Sequence, residues 1–267
     1  MEMPNFENRA ERGEEALKEH LKEIAVELKA EGIEVDDECR VNMDSYKAEP
    51  KYAGGIAKDK IDIAKMQTDW KKRKQQAKRE IIKGKKQEKE TRSGEKMEMF
   101  KTALFHKALG AKFYILRSSL HDDYKNGIDN VIADKESGAV VGAFDEVVSH
   151  DGELDKGSKT RTINGTTGGF LKYGIGIKNG EPIKQENPRV PLFYLALTHK
   201  ELESAISDFE IDREELSELE KALLKKLTDS ISEQTKIIAG IQLLKNKIPD
   251  IEKFQNALQE ATNPEKN

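Results

Sequence analysis

The sequence predicts an α/β fold: a mixed sheet in the middle of the chain, with long helical extensions at both the N- and C-terminal ends. Three observations predict it. Between residues 93 and 200, strand-like runs are interspersed with helix-like ones, which implies a mixed sheet. Outside that span, apolar residues recur at helical spacing. Of the 267 residues, 36% are hydrophobic and another 36% charged, with a mean hydropathy of −0.75. So polar a balance predicts a modest core and long solvated helices.

The elements follow in order. Residues 8–31 place Leu17, Leu21, Ile24 and Leu28 on one helical face, and Gly32 supplies a stop. Residues 33–57, with Pro50, Gly54 and Gly55, show no periodicity and read as a loop or linker. A second helix runs from Lys58 to about Arg92, with a near-heptad seam of Ile63, Met66, Trp70, Ala77 and Ile81. Ser93 and Gly94 break it, and EKMEMFKTALFHKALG begins another helix. AKFYILRSS, from Ala111, is of strand type. IDNVIAD and GAVVGAFDEVV, joined by the turn-prone KESG, form an antiparallel hairpin. After a polar stretch, GGFLKYGIGIKNGEPI gives another strand ending in a turn, and RVPLFYLALTHKELESAI passes from strand into helix. Leu216, Leu219, Leu223 and Leu227 form one stripe of the C-terminal helices, and Ile237, Ile241 and Leu244 another; Pro249 separates off a last short helix. The chain therefore divides into an amphipathic helix with linker (1–57), a basic helix (58–92), an α/β core (93–200) and a helical region (201–267).

Composition excludes several classes. The net charge of −4 argues against a uniformly basic nucleic-acid binder, though it says nothing of local patches. A single cysteine, Cys39, allows no intrachain disulfide and reads as an ordinary thiol. The N-terminal residues lack the basic-then-apolar pattern of a signal peptide, and no apolar run approaches a membrane-spanning length. The expectation is a soluble, cytoplasmic protein without membrane contact. No Walker-type phosphate loop, G-x-S-x-G elbow or zinc-ligand cluster is present; His121 and His150 lack the His/Cys company of a zinc site and read as surface residues.

From Lys71 to Arg92 there are eleven Lys/Arg against three Glu. Lys71, Lys72, Arg73, Lys74, Lys78 and Arg79 are the candidate phosphate contacts of this run. The alternative is the solvated face of a surface helix.

Two acids carry the chemistry. Asp129 opens IDNVIAD and Asp145 follows GAVVGAF, where a buried strand should be apolar. Burying a carboxylate costs several kcal/mol unless it is paired, hydrogen-bonded or bound to a cation. On a hairpin both carboxylates converge at one end of the sheet, where a divalent cation or a shared proton must offset their repulsion. Oxygen-only ligation suits Mg²⁺ or Mn²⁺, and such an ion activates water at a phosphate diester. The plainer alternatives are a turn role for Asp129 after Asn126-Gly127, and a surface strand end at Asp145-Glu146. Asp122 and Asp123 read as turn or cap residues.

The order of elements in MEMFKTALFHKALGAKFYILRSS, GIDNVIAD and GAVVGAFDEVV resembles the core of the PD-(D/E)xK nuclease superfamily, in its resolvase and restriction-endonuclease-like members. The resemblance covers about residues 93–200 and implies a restriction-endonuclease-like mixed sheet flanked by helices. It implies Asp129 and Asp145 as metal ligands, with Glu98 (Glu95 matches less well) assisting metal or water. The family's lysine falls two residues after the second acid, where this chain has Val147. Lys159 in DKGSKTRTING and Lys172 in FLKYG are the replacements, Lys159 being preferred. The expected function is a Mg²⁺- or Mn²⁺-dependent nuclease acting on DNA. Its rival is a non-catalytic nucleic-acid- or protein-binding module on a degenerate core, its helical regions serving a protein partner or a homo-oligomer.

Overall fold

The computed structural model describes residues 6–81, 90–148, 153–209 and 215–262, with side chains described at all of these except 6–8, 74–81, 90–93, 147 and 153–156. Helix α1 (Phe6–Ala30) buries Leu17, Leu21, Ile24 and Leu28, the stripe that its periodicity selects. That stripe packs on α4 (Glu90–Leu109) and α6 (His199–Ser207). Ser93 and Gly94 lie inside α4 rather than breaking a helix before it.

The segment expected to be a linker is part of the core. Ile33, Val35, Val41, Met43, Tyr46 and Tyr52 are all buried, on a short bridge (Val35 with Val41), a 3₁₀ turn (Met43–Ala48) and the single turn α2 (Pro50–Ala53). Non-periodic sequence concealed this, because neither short element shows a helical or alternating repeat. Helix α3 (Ile56–Ile81) follows.

The main sheet has four strands in the order β1 (Phe113–Arg117), β2 (Asn130–Asp134), β3 (Val140–Val148), β6 (Leu192–Leu197). β1–β2 and β2–β3 are antiparallel, and β3–β6 is parallel, so the sheet is mixed. The β2–β3 hairpin closes where Asp134 Oδ1 accepts from Ser137 N at 2.7 Å, before Gly138 at φ +69°. Between β3 and β6 the chain makes α5 (Glu153–Thr166) and a separate hairpin, β4 (Gly169–Lys178) with β5 (Glu181–Val190). Its turn residues Asn179 and Gly180 both have positive φ, which matches the strand twist. Phe105, Phe113, Phe144, Phe193 and Phe254 meet in one aromatic cluster beneath α4 and α8 (Ile248–Thr262), with Phe144 stacked on Phe193 at 5.5 Å. Each such ring, fully buried, contributes about 1.5–3 kcal/mol. Helix α7 (Glu218–Ala239), opened by a Ser217–Glu220 capping box, packs on α8 and β6. Among the described residues, no helix is long and apolar enough to cross a membrane.

Candidate metal centre

The site lies where α4, the end of β1, the mouth of β2 and β3 meet. Glu98, Lys101 and Thr102 fall on one face of α4, as i, i+3 and i+4 positions must. Thr102 fixes that face against the sheet: its hydroxyl accepts from Asn130 Nδ2 at 2.6 Å, and it donates to Glu98 O.

Asp129 stands one residue before β2, and Asp145 one residue after Phe144, the last residue of β3 in register with β2. Asp129 is stitched to β3 twice. Its N–H donates to Phe144 O at 2.8 Å, and its Oδ2 accepts from Glu146 N at 2.7 Å. Asp123 enters from a π-helical turn, Asp122–Asn126, that ends on Gly127 at φ +65°. One oxygen from each of Glu98, Asp123 and Asp129 lies within 4.8 Å of the others.

Two arginines brace this triad. Arg117, with its side chain almost wholly buried at the end of β1, donates from Nη2 to Glu98 Oε2 at 2.8 Å and from Nη1 to Glu38 at 2.6 Å. Arg40 donates from Nη2 to the same Glu98 oxygen at 3.1 Å and from Nη1 to Asp123 Oδ2 at 3.0 Å. The Cys39–Val41 segment is held beside β1 by Arg117 N donating to Cys39 O and Val41 N donating to Arg117 O. The Cys39 thiol is buried, donates to Leu21 O, and is pushed up to about 12 by burial, so it is an inert thiol. Burial raises the Asp123 pKa to about 6, Arg40 opposing and Glu98 adding to the rise.

Beneath the triad, Lys101 forms an ion pair with Glu146 in which neither side chain reaches solvent. Its ammonium also sits 4.4 Å from the centre of the Phe144 ring. Burial drives the Lys101 pKa well below its ordinary value, while the carboxylates of Asp129, Glu98 and Asp145 pull it back up. All three acids singled out in the sequence thus act on one buried ammonium.

Asp145 itself is not in the triad. Strand alternation gives Phe144 and Glu146 to the α4 face and turns Asp145 to the other. There Lys159 Nζ of α5 approaches it at 3.8 Å. The same Nζ overhangs the π-helical turn closely enough that a Cβ on Gly127 would meet it at 2.8 Å. β3 therefore carries one acid–lysine pair on each face.

Lys172 belongs elsewhere. Its Nζ is bound to Asp59 at 2.6 Å, alongside the Tyr173 hydroxyl. Burial pushes Asp59 up, but these two hydrogen bonds and the nearby His121 hold it below its ordinary value. Asp122 does lie in a turn, as expected of a turn or cap residue, but it is not at the surface: it is fully buried and accepts from Ser119 Oγ, Asn126 Nδ2, Lys172 N and Tyr173 N. His121 is no surface residue either, lying between Asp59 (3.7 Å) and Asp122 (3.6 Å). This cluster anchors the π-helical turn that presents Asp123. Glu95 makes no part of the triad.

On α3, Lys71, Lys72 and Arg73 are exposed; the side chains of Lys74, Lys78 and Arg79, and His150 entirely, lie outside the described residues, as does the Val147 side chain. Sequence reasoning missed Arg40, Arg117, Asp123, Lys101 and Glu146. Lys101 did leave a signal, a lone charge inside MFKTALF at the helical spacing of Glu98, and Arg117 another, closing the apolar run FYIL.

The acid set fits a hard divalent cation in donor type: three carboxylates, no nitrogen and no sulfur. Comparison of the chain with family models, with curated proteins and with solved structures finds no match.

Proposed function

We propose that this chain is a metal-dependent phosphodiesterase acting on DNA, with a restriction-endonuclease-like core formed by α4, β1, β2, β3, α5 and β6. The observation that carries the reading is the convergence of Glu98, Asp123 and Asp129 beside the buried Lys101. Those three carboxylates would hold Mg²⁺ or Mn²⁺, with Asp123 in the position first expected for Asp145. A divalent ion bound there supplies neutralisation of phosphate charge and a water of lowered pKa.

The chain's own residues do the rest. Arg117 and Arg40 fix the Glu98 carboxylate from two directions and hold Asp123 toward it. Lys101 stands in for the lysine absent at Val147, its buried amine, whose charged form burial disfavours, lying under the carboxylates of Asp129 and Glu98. Lys159, whose side chain is 55% exposed, meets an incoming phosphate at the mouth. Lys71, Lys72 and Arg73 contact the backbone farther along, which positions DNA without reading its sequence.

The test is cleavage of DNA by purified protein with Mg²⁺ or Mn²⁺, abolished by Asp129→Asn and by Lys101→Met. Equal residual cleavage in wild type and both variants would overturn the reading.

One observation favours a second reading. A single oxygen of Glu98 already receives both guanidinium groups, as in a purely structural ion network. On that reading the core is a non-catalytic binding module, and calorimetric titration with Mg²⁺ or Mn²⁺ shows no heat that Asp129→Asn removes.

A further inference from the structure

Residues 156–180 carry five Lys or Arg and no Asp or Glu, in a chain whose 50 acids among 267 residues would place several in any stretch of that length. The stretch begins in α5. Gly157, Thr160 and Asn164 are buried, so by helical periodicity the solvent face of α5 is centred on Ser158, Thr162 and Gly165, all exposed. Lys159 runs along one edge of that face and Arg161 along the other, both exposed. The C-terminal end of α5 meets two further cations. There β4 and β5 lose register: Gly169 pairs with Val190 and Phe170 with Pro188, so Arg189 is the extra residue of a bulge, at φ +56°. A bulge re-aims a side chain, and this one turns Arg189 out to solvent. A Cβ on Gly168 would meet Arg189 Cα at 2.8 Å and Leu244 Cδ2 at 3.3 Å. Lys245, beside Leu244 on a 3₁₀ turn (Gln242–Lys247) packed on α5 and β5, is exposed as well.

Exposed lysines elsewhere face acids: Lys22 has Glu19, Lys112 has Glu260 and Lys225 has Asp229. Arg161, Arg189 and Lys245 form no ion pair among the described residues. Glu233, which borders the same groove as Arg161, is taken by Lys236 at 2.6 Å. Cations left without acids on one side of a chain of net charge −4 make a local positive field, which suits a polyanion.

We propose that Arg161, Arg189 and Lys245 clamp the phosphates of duplex DNA, whose backbone runs along α5 from this clamp to Lys159 at the acid cluster. The proposal rests on the phosphodiesterase reading for where the duplex leads. From Lys159 to Thr166, α5 rises about 10 Å at about 1.5 Å per residue, the length of about three base pairs. A stiff duplex bridges that interval at no ordering cost, which a flexible acidic peptide incurs. No aromatic side chain belongs to α5, so an unpaired base has nothing there to stack on. Contacts of this kind fix the position of the duplex and leave its sequence unread.

The test is anisotropy of a short labelled duplex titrated with the full chain over a range of salt, with divalent ions chelated so that nothing is cut. Replacing Arg161, Arg189 and Lys245 together with Gln should flatten the log–log salt slope by up to about 2.7 units, at about 0.9 per phosphate contact. Arg161→Gln alone, on a helix surface, should flatten it by about 0.9. Removing the same charge through Lys22→Gln, Lys112→Gln and Lys225→Gln should leave the slope as it is, since those ammonium groups already face acids. An unchanged slope in the clamp variants, equal flattening by the control triple, or no binding of duplex by the wild type would each overturn the proposal. Polyglutamate that displaces the duplex at equal charge concentration would overturn it in favour of an acidic protein partner. Failure of the phosphodiesterase reading looks different: the clamp variants lose salt slope as expected while Mg²⁺ elicits no cleavage.

Discussion

Lys101 and Glu146 pair across the α4–β3 interface with both side chains sealed from solvent. Neither charge has water to fall back on, so the two depend on each other. Lys101→Met or Glu146→Leu alone should lower stability by about 3–5 kcal/mol, because each leaves a buried charge uncompensated. The double variant should recover most of that loss while remaining inactive. Urea unfolding of the three variants measures it, and additive losses in the double variant would contradict the pairing.

If Glu98, Asp123 and Asp129 hold a divalent ion, that ion stabilises the native state by mass action. Mg²⁺ at a hundred times its dissociation constant should add about 2.7 kcal/mol. Asp129→Asn should abolish the increment, which a thermal shift with and without Mg²⁺ detects. A shift that survives the substitution would place the ion elsewhere.

His106 gives the chain a pH dependence away from the site. Burial, reinforced by His20 across the α1–α4 contact, lowers its pKa from 6.5 to about 4. The unfolded chain then binds a proton that the native state refuses. Stability is full above pH 6.5 and is lost as pH falls from there toward 4, by on the order of 3 kcal/mol at about 1.4 kcal/mol per pKa unit. His106→Gln should flatten that decline between pH 7.5 and 5 in denaturant midpoints. An unchanged decline would assign the acid sensitivity to other groups, His20 first.

Gly127 ends the π-helical turn with φ +65°, and Lys159 Nζ lies over it. Gly127→Ala should cost about 1–2 kcal/mol for the left-handed backbone alone. The steric part is cheap, because an exposed lysine tip can move aside. Cleavage should therefore suffer more than stability, since the displaced ammonium is the one at the mouth. Parallel measurement of unfolding and of Mg²⁺-dependent cleavage separates the two effects.

The parts legible in the sequence were those written in local pattern. The α1 stripe and the β2–β3 hairpin follow from periods of 3.6 and 2 and from turn residues, and Asp129 stood out as an acid at the start of a strand, whereas Glu98 was reached only through the family resemblance. What escaped depends on chain closure. Arg40 reaches Glu98 and Asp123 from a non-periodic loop tied to β1 only in the folded state. Lys172 looked available until Asp59, far away on α3, claimed it. Asp145 and Glu146 are adjacent in sequence, and only the strand's facing decides which one meets α4. Lys101 hid inside a helix whose apolar neighbours Phe100, Ala103 and Leu104 made it look like any amphipathic lysine.

The parallel pairing of β3 with β6 has a consequence for how the chain reaches this state. Phe144 meets Phe193 only after α5 and the whole β4–β5 hairpin have been looped out between them. That closure loses chain entropy before any contact compensates it, whereas the β1–β2–β3 meander closes through shorter loops. The meander with α4 should therefore form early, leaving the β3 edge bare until β6 arrives. During that interval the row of unpaired amide and carbonyl groups from Ala143 to Val148 can pair with another chain, so refolding yield should fall as protein concentration rises.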